Sequence, residues 1–401
     1  MKLSMVRKLI LTVSILFFVA TAIKSQVSND TLVYLLTCSP GTATYSIYGH
    51  SALRVVILSS GYDMVYNWGV FDFNTPHFVW KFAGGKLNYM LGVYPYELFL
   101  RDYFMERRSV YSQRVNLESK ELKHLMYLLE ENQRPENIYY RYDFFYDNCS
   151  TRIRDIFEKI FAERLIYPDE EKNDMPTFRD RINEYQRNYP WLKAGVDLLL
   201  GLPADRKASF RDQMFLPEYL QRNLSASVIK KNSMTVPLLR EIETIIEFEP
   251  PEIRIPFYSA PLFVLSLIFI IILFISLLFR NSDNIKYFDI LIFTIFSILS
   301  LFLLFFNFIT EHSETKMNVN FVWINPFIIF CLICLSFNRM CKIWFRLTFW
   351  LVVMYIFGVI LFAMKIYGIF IPVALILALR CSAYAYFEKN PFGMHNYKTG
   401  R

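Results

Sequence analysis

The chain is short of the residues that most often build cofactor and metal sites. Its 13 glycines form no Gly-rich phosphate loop, which excludes the common nucleotide cradles. Its six cysteines supply no paired CxxC motif of the zinc type. Cys331 and Cys334 have CxxC spacing but lie inside an apolar run, which reads as membrane-buried thiols rather than a redox or zinc site. No metal and no cofactor is expected. Histidine is equally scarce. Of the five, His395 and His312 fall in a tail and a loop, His77 in another loop, and His124 on an amphipathic helix. That leaves His50. The formal charge of +7 would suit an anionic partner. The C-terminal positive charges, however, sit in short loops between apolar runs, where they are a topology signal and not a nucleic-acid patch.

What is abundant is apolar and aromatic. The composition is 54% hydrophobic and 18% aromatic, with 39 Phe. Residues 1–25 have the form of a secretory signal, with Lys2, Arg7 and Lys8 before the apolar run 9–20 and the small residues Ala20, Ala22 and Ser25. The segment holds no cysteine, so it is not a lipoprotein signal; an uncleaved anchor is the alternative. Five apolar segments follow late in the chain, near 260–279, 290–309, 321–337, 343–364 and 368–387. Each is close to the roughly 20 residues that span a bilayer. Arg280, Lys286, Arg339, Lys342 and Arg346 mark two of the intervening loops, and Lys389, Lys398 and Arg401 the tail, as cytoplasmic. The loop 309–320, with Glu311 and Glu314 against Lys316, lies on the other side. Arg346 and Arg380 are expected to snorkel at the inner ends. Signal and loop charges agree that the large domain is outside. The expected division is a signal at 1–25, an exported mixed domain at 26–235, a proline-containing linker at 236–258, transmembrane helices at 259–388 and a cytoplasmic tail at 389–401.

Within the exported domain, Tyr142-Asp143-Phe144-Phe145-Tyr146-Asp147-Asn148-Cys149-Ser150-Thr151-Arg152 is followed by Ile153, Ile156, Phe157, Ile160 and Phe161 at helical spacing. Asp147 or Asn148 is a natural N-cap, which places Cys149 at a helix N-terminus, where a thiol loses its proton more easily. A nucleophilic thiol needs an imidazole, and the imidazole needs an orienting partner. His50 opens a β-hairpin with arms at 52–58 and 64–71 around Ser59-Ser60-Gly61. Folding that hairpin about Gly61 sets Asp72 opposite His50; Asn67 is the other polar candidate, and Gly69 is a candidate bulge. Asp72 also reads as a turn residue before Asn74-Thr75-Pro76. A buried thiol, or a disulfide to Cys38, is the alternative for Cys149. Residues 77–115 are aromatic and resist assignment.

Three motifs carry a resemblance: Tyr48-Gly49-His50-Ser51-Ala52-Leu53-Arg54-Val55, Val65-Tyr66-Asn67-Trp68-Gly69-Val70-Phe71-Asp72-Phe73 and Asp147-Asn148-Cys149-Ser150-Thr151-Arg152. It extends through Asp197-Leu198-Leu199-Leu200-Gly201 and Met214-Phe215-Leu216-Pro217. The order of His before Cys resembles circularly permuted papain-like (NlpC-like) domains, lecithin:retinol acyltransferase among their relatives. The closer resemblance, over residues 31–225, is to the Lnb lipoprotein N-acyltransferases of Bacteroidetes. It implies an α+β periplasmic papain-like domain followed by an all-α bundle of about five transmembrane helices in the inner membrane. It implies Cys149 as nucleophile, His50 as base and Asn67, ahead of Asp72, as the third member. The implied acyl donor is a glycerophospholipid and the acceptor the α-amino group of a diacylated lipoprotein, by way of a cysteine thioester. Tyr48 is a candidate oxyanion donor. Arg54 and Arg152 are candidates for the phosphate head group, with structural ion pairs as the alternative, and Asn148 completes the substrate-contact candidates. The competing readings are a papain-like cell-wall peptidase or amidase, a lipid-ester hydrolase, and a non-catalytic envelope-assembly scaffold.

Overall fold

A computed structural model describes residues 30–386 apart from 169–174, 233, 251, 252, 254, 283, 339, 340 and 363. The signal segment 1–25, Arg339 and the tail 389–401 lie outside the described residues. Packing divides the chain into two units at 181/182, 206/207 and 250/251.

The first unit is built on an antiparallel sheet whose strands follow the β-branched and aromatic runs. Its strands are β1 (Thr31–Cys38), β2 (His50–Ile57), β3 (Tyr62–Val70), β4 (Asn88–Pro95), β5 (Val110–Arg114), β6 (Tyr139–Arg141) and, late in the chain, β10 (Glu243–Ile246). The order is β10-β5-β1-β2-β3-β4-β6. The stretch 77–115 thus resolves into α1 (Phe78–Ala83), β4, α2 (Tyr96–Met105) and β5. Two further helices are α3 (Ser119–Gln133) and α4 (Cys149–Phe161). A small sheet joins β7 (Leu165–Ile166), β8 (Val228–Lys231) and β9 (Met234–Pro237). α4 presents Ile153, Ile156, Phe157, Ile160 and Phe161 to the core shared with Val33, Leu53, Val55 and Trp68. Each of these large apolar side chains contributes about 1.5–3 kcal/mol by leaving water, which fixes the face α4 turns to the sheet. Glu243–Ile246, expected in the linker, instead adds an edge strand against β5.

The helix α5 (Phe178–Tyr185) straddles the first division. Downstream come α6 (Pro190–Leu199), α7 (Phe210–Gln213) and α8 (Pro217–Ser225). Pro190 and Pro217 start their helices. Proline fits there because the first turn has no acceptor for its missing N–H.

The second unit contains α9 (Pro261–Leu278), α10 (Ile285–Leu304), α11 (Phe327–Ser336), α12 (Lys342–Leu361), the short α13 (Lys365–Gly368) and α14 (Ile371–Ala385). Among the described residues four stretches are long and apolar enough to cross a membrane, Pro261–Leu278, Ile285–Ile309, Val319–Ser336 and Lys342–Leu361. The fifth expected span is shorter: α14 has 15 residues, about 22 Å at 1.5 Å per residue. The third is broken, because Asn325-Pro326 separates a 3₁₀ turn at Val319–Val322 from α11. Irregular backbone at membrane depth is tolerated where protein covers it, and Asn320, Trp323 and Asn325 are buried.

Residues 182–206 belong to this second unit, although they lie between two parts of the first in sequence. Leu198 and Leu199 pack against the hydrophobic core of this unit, and polar bonds hold the end of α6. Asn318 Nδ2 donates to the carbonyls of Leu198 (2.7 Å) and Leu199 (2.9 Å), the last acceptors of α6. Asn320 Nδ2 donates to Asp197 and Leu198 carbonyls. Gly201 N–H donates to the Glu314 carbonyl, and a Cβ there would sit 1.7 Å from the Lys316 carbonyl oxygen. Only glycine permits this approach, which accounts for the Asp197–Gly201 motif. Arg380 does not snorkel. It is buried and ion-paired to Asp289, with Nη2 to Oδ2 at 2.7 Å and the Tyr384 hydroxyl donating to the same carboxylate.

Candidate active site

Asn148 caps α4. Its Oδ1 accepts from the backbone N–H of Ser150 and Thr151, and the Thr151 hydroxyl accepts from Asn148 N–H. Its Nδ2 donates to the carbonyls of Phe144 and Phe215. The side chain is therefore spent on fixing the start of α4, with Cys149 in its first helical position. Bidentate pairing of Arg152 with Asp147 (2.6 and 2.8 Å) and stacking on Tyr140 hold the same turn from outside.

His50 begins β2, and α4 packs against β2 and β3. The histidine and Cys149, 99 positions apart in the chain, come close enough that each shifts the other's acidity. The neighbouring Ser51 and Ser150 hydroxyls also meet, at 3.2 Å. His50 Nε2 lies 2.5 Å from Asn67 Oδ1. Asn67 Nδ2 in turn donates to the Tyr94 hydroxyl at 2.6 Å. In this orientation of the amide Oδ1 is the acceptor, and Nε2 carries the proton that it accepts. The other ring nitrogen is then left for the thiol.

The electrostatics follow from this contact. Burial alone would raise the Cys149 thiol. The opposing charge of His50, the hydrogen bond to it, the Ser51 backbone N–H and the Ser150 hydroxyl outweigh burial and bring the thiol below its ordinary value. Burial would likewise lower His50, but the Cys149 charge and the bonds to Cys149 and Asn67 carry it above the ordinary imidazole value. Both shifts move the pair in the direction of thiolate and imidazolium. Cys38 sits directly across the sheet from His50, and its behaviour is opposite: burial pushes its thiol up to about 12. Both Cys38 and Cys149 are free thiols, so no disulfide joins them.

The remaining candidates fall elsewhere. Asp72 Oδ1 accepts from Asn74 N–H at 2.8 Å, a turn role on the exposed side of the chain. The hairpin pairs Leu53 with Tyr66 and Ile57 with Tyr62, so it is centred between Ser59 and Ser60, not on Gly61. That register corrects the pairing of Asp72 with His50. Gly69 is the bulge: pairing with β4 shifts between Trp68 and Val70, and Gly69 has φ +95°. Arg54 is held by Asp63 (2.7 and 2.6 Å) and stacked 3.5 Å from the centre of the Tyr96 ring. Arg54 and Arg152 are thus engaged in ion pairs. The Tyr48 ring packs on Phe144. An open groove of about 590 Å³ lined by Tyr34, Arg114, Arg240 and Glu243 contains none of Cys149, His50 or Asn67.

Tyr94 was not legible in the sequence. It lies in β4, where Gly92 stands opposite Asn67. A Cβ at Gly92 would come within 3.6 Å of the Tyr94 ring. Tyr94, two residues further along the same strand, reaches Asn67 on the diagonal of the strand pair. Only the β3–β4 register shows that relation.

Two family models match the chain. Residues 19–185 match the Lnb N-terminal periplasmic domain, and residues 253–390 match the Lnb transmembrane domain. Searches of curated proteins and of solved structures give no significant match.

Proposed function

The chain belongs to the Lnb family, a family of N-acyltransferases, and on that premise we propose that it is a thiol-dependent lipoprotein N-acyltransferase. It is a multi-pass membrane protein with a periplasmic N-terminal domain. The observation that carries the proposal is the Cys149–His50–Asn67 chain at the start of α4. The arrangement resembles that of papain-like enzymes, with His and Asn placed before Cys in the sequence.

In the first half-reaction the Cys149 thiolate attacks the carbonyl carbon of a phospholipid acyl ester. The tetrahedral intermediate collapses by breaking the bond between that carbon and the ester oxygen. His50, as imidazolium, gives its proton to the departing lysophospholipid alkoxide, and a thioester remains on Cys149. In the second, the α-amino group of a diacylated lipoprotein cysteine attacks the thioester carbon. Its reference pKa of about 7.7–8.0 leaves a useful neutral fraction near neutral pH. His50 accepts a proton from the attacking amine, the carbon–sulfur bond breaks, and an amide forms as the thiolate–imidazolium pair returns. Asn67 holds the imidazole in the required tautomer and plane.

The test is mass spectrometry of lipoprotein N-termini and of the protein itself, in cells carrying wild type, Cys149→Ala or His50→Ala. The expected outcome is loss of the amide-linked chain in both variants and a hydroxylamine-sensitive acyl adduct on Cys149 in the wild type alone. Full N-acylation by the Cys149→Ala protein would remove the thioester route. Unchanged lipoproteins with altered cell-wall peptides would overturn the acyltransferase reading in favour of a peptidase.

A further inference from the structure

Immediately past the site, the first unit carries a surface that the chemistry does not use. From Tyr142, which opens the loop leading to Cys149, ring contacts run outward without a gap. Tyr142 stacks on Tyr89 at 4.5 Å, Tyr89 meets Phe71 at 5.2 Å, and Phe71 meets Phe73 (4.9 Å) and Phe78 (5.9 Å). Phe71 follows Asn67 and the Gly69 bulge by only a few residues, so the platform grows directly from the strand that holds the imidazole. Its outer members face water: Phe73 is 67% exposed, Val79 71% and Trp80 73%. A short helix that turns Val79 and Trp80 outward and buries none of its residues has no role in the core.

We propose that this face, residues 71–82, is where the catalytic unit enters the lipid surface, with Phe73, Val79 and Trp80 lying among the headgroups and upper acyl chains of the outer leaflet. Three observations choose lipid as the occupant. The composition suits an interface, where Trp and Phe settle with basic residues beside them. Residues 71–87 carry one acidic side chain, Asp72, which accepts from Asn74 N–H, against Lys81 and Lys86, and the net positive charge complements phosphate-bearing headgroups. The unit is also covalently continuous with apolar spans, so a bilayer is always within reach. The face deepens the acyltransferase reading and rests on it for its purpose: a phospholipid ester could slide from the leaflet along the rings toward Cys149.

The experiment reads the surface without turnover, so its failure and a failure of the acyltransferase chemistry are separable. Full-length protein in nanodiscs of a phosphatidylethanolamine and phosphatidylglycerol mixture carries an environment-sensitive NBD label at Val79→Cys, or in a second variant at Phe73→Cys. Leu58→Cys, at the exposed hairpin turn, is the water-facing reference. All three labels are placed in a Cys149→Ala background, which removes the reactive thiol; four of the other five native cysteines are buried, and the labelled Cys149→Ala parent sets the background. The expected result is blue-shifted emission at 79 and 73, quenched by lipids bearing a nitroxide near the headgroup end of the acyl chain and protected from iodide, while 58 shows the reverse. Water-like emission with iodide quenching at all three positions overturns the proposal. Blue-shifted emission that nitroxide lipids do not quench also overturns it, because protein and not lipid would then cover the face.

Discussion

His50 and Cys149 move each other's acidity in opposite directions, and that reciprocity can be measured. With the thiol below its ordinary value and Cys38 pushed up to about 12, iodoacetamide near neutral pH is expected to label Cys149 and spare Cys38. Peptide mapping after brief alkylation checks it; equal labelling would contradict the assigned electrostatics. Acylation should follow a bell in pH. The acid limb belongs to the lowered thiol, since protonation below it removes the nucleophile. The alkaline limb belongs to the raised His50, since above it no proton is left for the leaving alkoxide. Tyr94→Phe tests the positioning of the amide. Losing one hydrogen bond of about 0.5–1.5 kcal/mol frees Asn67 to turn and weakens its hold on the imidazolium. The alkaline limb then moves down by up to about one pH unit. A merely structural Tyr94 would lower the rate without moving the limb. Of these residues, Cys149 and His50 were legible in the sequence as the helix-start thiol and the odd polar group at a hairpin mouth. Tyr94 was not, because its partner sits across a strand pair whose register no local pattern encodes.

At the scale of elements, a cap and a bulge place the thiol. The N-cap on α4 was readable from Asn148 and the apolar spacing behind Cys149, because capping and amphipathicity are local. The bulge was only half readable. Gly69 marked the place, yet which strand it faced depended on the sheet order. At φ +95° any L side chain is strained here, and a Cβ would lie in ordinary contact with Cys149 Cβ, at 3.9 Å. Gly69→Val should cost about 1–3 kcal/mol of backbone strain and press on the nucleophile. Lower thermal stability and slower Cys149 alkylation are the expected results, with Gly69→Ala intermediate. A Gly69→Val protein with wild-type melting and alkylation would show that the bulge does not constrain the thiol. The same dependence on register explains why Asp72 looked plausible opposite His50. A hairpin centre displaced from Gly61 moves every cross-strand pair, and Asp72 falls into the following turn.

For the whole molecule, the sequence separated an exported domain from apolar spans correctly but placed 182–206 and 243–246 by contiguity. The first joins the helical unit and the second the sheet, because Asn318 and Asn320 satisfy helix-end carbonyls and β5 has an edge to fill. Within the helical unit the Asp289–Arg380 pair joins α10 to α14. Removing one member strands a charge with nothing to replace its partner. Asp289→Leu should therefore destabilise the protein by about 3–5 kcal/mol, and Asp289→Leu with Arg380→Met should recover most of the loss. Thermal unfolding of the purified protein in detergent decides it: equal melting of the single variant and wild type would mean the pair is not structural.

The sequence by itself determined the family motifs, the helix that begins at Cys149, and the apolar segments with their flanking charges, and it pointed to His50 among five histidines. All of these are written in neighbouring residues, as spacing, capping and charge. The tertiary structure alone decided that Asn67 and not Asp72 meets the imidazole, that Tyr94 stands behind it, that Arg54, Arg152 and Asn148 are engaged in ion pairs and a cap, and that the rings of residues 71–82 turn outward. Those outcomes depend on strand register and on contacts between residues as far apart as His50 and Cys149. Such contacts are fixed when the sheet and α4 pack together, and no periodicity along the chain specifies them.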